Sequence, residues 1–177
     1  MTVLLPIDPA PADRTTEHPE AVAATGDALR DVLRAIPSPV VVVTVSQPDG
    51  EMRGATIGSF ASVSLGPPLV SFNVTHGTRL HDALDAAGAF TVHLLAADQA
   101  DAASHFARPD LDAADQMAGG AARLDGALGT LACTVAARIP AGDHTVVIGE
   151  VAEITPGREA APLLYYRQSY RGIGGEV

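Results

Sequence analysis

Three segments of the chain carry residue types that could do chemistry. Gly54 to Val70 (GATIGSFASVSLGPPLV) sets Thr56, Ser59, Ser62 and Ser64 beside Gly54 and Gly58. Small hydroxyl residues next to glycines let the backbone approach a flat polar ligand and offer it N–H and O–H donors. The same composition also makes a plain polar strand and turn. Asn73 to Leu84 (NVTHGTRLHDAL) reads as a strand end, a Thr-His-Gly-Thr-Arg turn and a helix start. The orphan N–H groups of that helix, with Arg79, form a place for a phosphate. An ordinary capped helix has the same pattern. Gly142 to Val151 (GDHTVVIGEV) puts His144 just past a turn, at the mouth of a strand. A histidine there can stack on a ligand, hydrogen-bond to it, or exchange a proton near neutral pH; it can also simply be solvated.

Two other chemistries find less support. His76 and His81 are not spaced i, i+4, and no H-E-x-x-H occurs, so no metal site is expected. Ser59 or Ser62 with His144 could suggest a hydrolase, but neither serine is framed as G-x-S-x-G. No G-x-G-x-x-G follows a strand and opens a helix.

The elements that must position these residues alternate between helix and strand patterns. Leu29, Val32, Leu33 and Ile36 fall on one helical face, and Pro37 and Pro39 end that helix. Val40 to Val45 is nearly all β-branched, the mark of a strand buried on both faces. Asp49-Gly50 signals a hairpin into a strand from about Met52 to Gly58. Leu69 to Val74 is the next strand. Thr78 is placed to cap a helix carrying Leu80, Leu84 and Ala87 on one face. Phe90 to Leu95 is a strand, and Asp98 is placed to cap a helix running towards Phe106. Residues 108–129 are rich in alanine, glycine and aspartate and fix no element. Thr130 to Arg138 and Thr145 to Ile154 read as long strands joined at Ala141-Gly142-Asp143. Hairpin-linked strands with few helices predict a mainly β fold with helical insertions, a closed or nearly closed antiparallel barrel. The helix–strand alternation at 78–107 leaves an α/β sandwich as the competitor.

Composition limits the partners. The chain has 177 residues, 47% of them hydrophobic and 18% charged, enough for one domain with a substantial core. Residues 1–19 are rich in proline and polar residues and are expected to form a flexible arm, with the domain occupying 20–177. A net charge of −10 repels phosphate backbones, so no nucleic acid is expected as a partner. Aromatics are 4% and tryptophan is absent, which leaves few stacking faces. Cys133 is the single cysteine, a usage that suits a reducing cytoplasm. Val3-Leu4-Leu5 is interrupted by Pro6 and Asp8, so no leader is expected. No apolar run approaches the roughly 18 residues of a membrane span, so no membrane is expected either.

Four pieces, in this order and spacing, resemble the flavin reductase-like family: ASVSLGPPLV (Ala61 to Val70), AGAFTVHLLAADQ (Ala87 to Gln99), GDHTVVIGEV, and PLLYYRQSYR (Pro162 to Arg171). The likeness runs from about Leu29 to Arg171. It implies an FMN-binding split β-barrel, in which NADH or NADPH reduces FMN or FAD for a partner flavin-dependent monooxygenase, and a homodimer. It places Thr56, Ile57, Gly58, Ser59, Ser62, Val63 and Ser64 along the flavin ring, with Ser38 nearby. It places Thr75, His76, Gly77, Thr78 and Arg79 around the flavin phosphate, adds Phe106 and Tyr170 as further cofactor contacts, and sets His144 where nicotinamide would stack. Three positions depart from the family's pattern: Ser38-Pro39-Val40 stands for Thr-Gly-Val, Gly58 for an asparagine, and Gly77-Thr78-Arg79-Leu80 for Ser-Ser-x-Thr. The alternative is a diverged split barrel that binds another flat ligand or catalyses a non-redox biosynthetic step. Val40–Val43 and Val146–Ile148 need cover on more than one side, and a second subunit is expected to supply it, with the N-terminal arm lying across that partner.

Overall fold

The structure is a computed structural model that describes residues 21–47, 50–109 and 124–173. The expected arm at 1–19, Asp49 of the hairpin turn and most of 108–129 lie outside the described residues. Seven strands form one antiparallel sheet in the order β3-β2-β6-β7-β8-β5-β4. These are β2 (Val41–Ser46), β3 (Met52–Ile57), β4 (Ala61–Leu65), β5 (Pro68–Thr75), β6 (Ala89–Leu94), β7 (Gly129–Ala141) and β8 (His144–Pro156). The end strands β3 and β4 do not pair with each other, so the barrel is split. A second sheet has the order β1-β9-β10, from β1 (Ser38–Pro39), β9 (Leu164–Tyr166) and β10 (Ser169–Arg171). Every ladder is antiparallel, which removes the α/β sandwich.

The valine run behaves as its β-branching predicts. Val40 to Val43 are 0–3% exposed. Val41, Val43 and Val45 face an inner core that includes Phe72, Phe90 and Val147. Val40 and Val42 face an outer core with Leu95, Phe106 and Leu163. The chain therefore covers both faces of this strand itself, and a second subunit is not needed there. Val147 is buried too, while Val146 and Ile148 are half-buried. Phe72 and Phe90 meet edge to face, with ring centroids 5.2 Å apart. Phe90 also explains Gly149: a Cβ there would collide with its ring.

Three described helices decorate the sheet. The helix α2 (Arg79–Ala86) buries Leu80, Ala83 and Leu84, and Thr78 caps it by accepting from the His81 N–H at 3.3 Å. Its C-terminal end is held by Arg138 of β7, whose Nη2 donates to the carbonyls of Leu84 at 2.5 Å and Ala87 at 2.6 Å. The helix α3 (Ala100–Phe106) buries Ala102, Ala103 and Phe106. Asp98 does not cap it: the cap position is Gln99, without a capping side-chain bond. The Asp98 carboxylate is taken by Arg158, whose hydrogen bond holds its pKa below the ordinary range.

The helix α1 (Gly26–Leu33) forms as its spacing predicts but buries nothing. Leu29, Val32 and Leu33 are 59%, 66% and 51% exposed, and Ile36 lies just past its end. Pairs of Asp27 with Arg30 and Asp31 with Arg34 brace the polar side. The strand β4 and the small strands β1, β9 and β10 were not foreseen as strands. They are too short for periodicity to separate from turns.

One half-buried histidine gives the fold a pH dependence. His93 of β6 pairs with Val42 across the ladder and shares a 3.1 Å hydrogen bond with Thr44 Oγ1. Burial lowers its pKa below 6.5. Above the unfolded value both states are neutral, and this stability is fully present. As pH falls, the unfolded chain takes up the proton first, and stability is lost until the folded ring titrates. The melting temperature should drop from about pH 7.5 to about pH 5.5, and His93→Gln should make that drop smaller. Equal drops in both proteins would remove His93 as a cause.

Candidate functional site

The β5–β8 ladder brings the three chemical segments together. Its register pairs Thr75 with His144, so the start of the Thr75–Arg79 turn meets the mouth of β8. The β7–β8 turn is two residues long, with Gly142 at φ +63°. Only glycine tolerates that first turn position cheaply. The backbone N–H of His76 donates to the Asp143 carbonyl at 3.0 Å, which ties the two turns to each other.

A cleft of about 610 Å³ opens beside this junction. One wall is β3 and the chain after it, including Thr56, Ile57, Gly58 and Ser59. Another is the end of β5 and the start of α2, including Thr75, Gly77, Thr78 and Arg79. Phe106 and the residues just past α3 close a third side. The walls are internally fixed. Thr56 Oγ1 donates to the Ala103 carbonyl at 2.6 Å, docking α3 on β3. Phe106 lies over Gly54, where a Cβ would come within 2.9 Å of its ring. Ser59 Oγ accepts from the Asn73 N–H at 2.9 Å, joining the wall to β5. Thr78 Oγ1 donates to the Thr75 carbonyl at 2.9 Å, and Gly77 has φ +72°. The turn thus presents the α2 N-terminus to the cleft.

His144 has both ring nitrogens engaged. A carboxylate accepts only, so Nδ1–H donates to Asp143 Oδ1 at 2.7 Å. In the neutral ring Nε2 then accepts from Thr75 Oγ1 at 3.0 Å. The hydrogen bond from His144 is the largest cause holding the Asp143 carboxyl below its ordinary pKa. His76 turns the other way: its Nε2 shares a 3.1 Å bond with Thr145 Oγ1, and its ring meets His81 edge to face at 5.1 Å.

The cleft gathers Thr56, Ile57, Gly58, Ser59, Thr75, Gly77, Thr78, Arg79 and Phe106. Ser38 stands next to Gly58, within 3.8 Å of a Cβ built there, but does not line the cleft. Ser62, Val63 and Ser64 lie on β4 outside the lining, with Val63 half exposed. Tyr170 packs on the outer core and meets Tyr165 edge to face at 5.4 Å. His76 and His144 are not among the lining residues: His76 lies between Thr75 and Gly77, and His144 is bonded to Thr75. The structure adds Asn73 and Arg108, which line the cleft and were not singled out as contacts. Arg108 follows a helix end with no motif around it, so its only signal was a basic residue in an acidic chain.

The family described as flavin reductase like domain matches residues 33–174. The chain belongs to this flavin reductase-like family. It is 40% identical over 148 residues to the reductase component of 4-hydroxyphenylacetate 3-monooxygenase from Thermus thermophilus, covering 83% of this chain and 96% of that one. It is 35% identical over 174 residues to a flavin reductase (NADH) from Kitasatospora aureofaciens, covering 94% and 86%. The fold matches an NADH:FAD oxidoreductase from Streptomyces globisporus, solved with NAD and FAD fragments. That match has a TM-score of 0.78 and 34% identity over 88% of this chain and 98% of that one.

The hydrogen-bond chain Asp143–His144–Thr75 predicts a ring tautomer. In the wild type the neutral His144 ring carries its proton on Nδ1. Replacing Asp143 with alanine removes the acceptor and should shift the neutral ring towards the Nε2–H form, while the melting temperature stays within a few degrees because Asp143 is exposed. Nitrogen-15 shifts of the neutral His144 ring check this. An unchanged tautomer would show that Asp143 does not set it.

Proposed function

We propose that this protein is an NAD(P)H-dependent flavin reductase that supplies reduced FMN or FAD to a partner monooxygenase. The observation that carries the reading is one cleft holding both a flat wall, Thr56 to Ser59, and an anion turn, Thr75 to Arg79, in a chain of the flavin reductase-like family. The residues fit the cofactor's two chemical parts. A wall without a side chain at Gly58 admits a planar ring, and nothing would stand closer than 3.8 Å to a Cβ there. Helix N–H groups and the Arg79 guanidinium suit a phosphate.

Bound flavin supplies acceptance and release of hydride equivalents. The chain's own work is to bind, orient and exclude water. Thr56, Ser59 and Thr78 are each held by a backbone partner, so the walls do not need to reorganise when ligand enters. Thr75 and Asp143 hold the His144 ring in one orientation, where a neutral imidazole offers a face for the nicotinamide. NADH and NADPH are both compatible with these residues. The names of the Thermus and Streptomyces relatives support an oxygenase partner and a nicotinamide donor. No helix among the described residues is long and apolar enough to cross a membrane, and the proposed setting is the cytoplasm, where nicotinamide coenzymes are supplied.

Purified protein should accelerate NADH or NADPH oxidation when FMN or FAD is added. No acceleration with any pairing would refute the reading. Within it, His144→Ala should lower kcat/KM for the coenzyme by more than about twofold, the factor that about 0.5 kcal/mol makes, with an unchanged melt. An equal kcat/KM would take His144 out of the site.

We further propose a homodimer. The exposed apolar face of α1, with Val63 and Leu65 on the edge strand β4, gives a second copy an apolar surface to cover. Light scattering at micromolar concentration should return twice the chain mass, and a monomer mass would refute it.

A further inference from the structure

We propose that Arg108 reads the phosphate of the flavin, so that the cleft selects phosphorylated flavin over riboflavin by charge. This rests on the flavin reading above. The chain carries a net charge of −10, yet the described lining of the cleft holds two arginines, Arg79 and Arg108, and neither aspartate nor glutamate. The two come from different elements. Arg79 opens α2, beside the anion turn. Arg108 follows α3, and its backbone N–H donates to the His105 carbonyl at 3.3 Å, which continues the helix end by one turn.

That helix end is not loose. Thr56 Oγ1 holds the Ala103 carbonyl at 2.6 Å, and Phe106 is buried against Gly54. Both contacts are made by β3, the strand that forms the flat wall. The backbone of Arg108 is therefore set relative to the ring's wall, as that of Arg79 is set by the Thr78 cap relative to the turn.

A flavin monophosphate carries a charge near −2 at neutral pH, because the second ionisation of a phosphate monoester lies near 6. One guanidinium and a helix N-terminus neutralise part of that charge, and a second guanidinium completes it with hydrogen bonds of the charge-assisted kind. Against the Ser-Ser-x-Thr pattern of the resemblance, Gly77 and Leu80 lack two hydroxyls here, and Arg79 stands at the unspecified position. Recognition by arginines depends on ligand charge, and so on salt. Riboflavin, which lacks the phosphate, gains nothing from either residue.

The test is flavin binding by fluorescence quenching, with FMN and riboflavin as probes, on wild type, Arg108→Gln and Arg108→Glu. Arg108→Gln should raise the Kd for FMN by about five- to tenfold, a loss within the range of one hydrogen bond. Arg108→Glu should raise it further. The Kd for riboflavin should stay within about twofold in both, and added salt should weaken FMN binding more in wild type than in Arg108→Gln. An unchanged FMN Kd would overturn the proposal. Equal weakening of FMN and riboflavin would also overturn it, since Arg108 would then act on the shape of the cleft. Wild type that binds neither flavin would overturn the flavin reading itself, a result distinct from the other two. Arg108 is exposed, so the variants should fold, and a thermal melt confirms that each does.

Discussion

The ladder between β5 and β8 is the constraint on which the site depends. Its register sets Thr75 opposite His144 and Leu69 opposite Glu150. A slip of one residue would turn Phe72 and Val147 out of the inner core and expose two large apolar side chains. The core thus fixes the register, and the register delivers His144 to the anion turn. Arg138 adds a clamp from β7 onto the end of α2, so the helix that presents the turn cannot slide along the sheet. Packing far from the cleft decides which side chains meet in it.

A second lock acts from the outer face. Gly54 has no Cβ, and the Phe106 ring occupies the space. Leu95, Leu163 and Ala102 complete that cluster. Phe106 is therefore both a core residue and a wall of the cleft. Loss of its ring would open a cavity and loosen α3 together, which couples stability to site geometry. The glycine and the aromatic ring act as one unit, though about fifty positions separate them in sequence.

How legible this was from sequence follows from range. Val41 to Val45 announced a doubly buried strand because β-branching is a local property, and Thr78 announced a cap because capping spans three residues. His144 was legible as a turn-edge histidine, but its bond to Thr75 was not, since those residues are 69 apart in sequence. The strands β9 and β10 hide in three residues each, and their pairing depends on β1 from the other end of the domain. Asp98 read as a cap because aspartate before a helix usually is one. A distant arginine, Arg158, competes for the same carboxylate and wins. The exposed face of α1 was visible as amphipathicity, and what covers it is a property of an assembly rather than of the chain. Ser62 and Ser64 read as part of a ligand wall by composition. The bulge between them and the edge position of β4 place them outside the cleft.

The chemistry asked of such a cleft explains why so few of its residues are charged. Hydride transfer between two flat rings needs them stacked and oriented, and the reacting electrons belong to the rings. Acids and bases at the wall would add desolvation cost without lowering that barrier. What the chain supplies instead is a wall whose hydroxyls are already committed to backbone carbonyls and amides, and two arginines, Arg79 and Arg108, on the exposed part of the lining. Rim charges hold a ligand through screened, salt-dependent attraction. A fully buried ion pair would hold it more rigidly and at a greater desolvation cost. A reductase that hands its product to a second enzyme needs the former, because reduced flavin must leave as readily as oxidised flavin arrives. The half-exposed His144 and the exposed Arg79 and Arg108 fit that requirement, while the buried half of the cleft keeps the geometry.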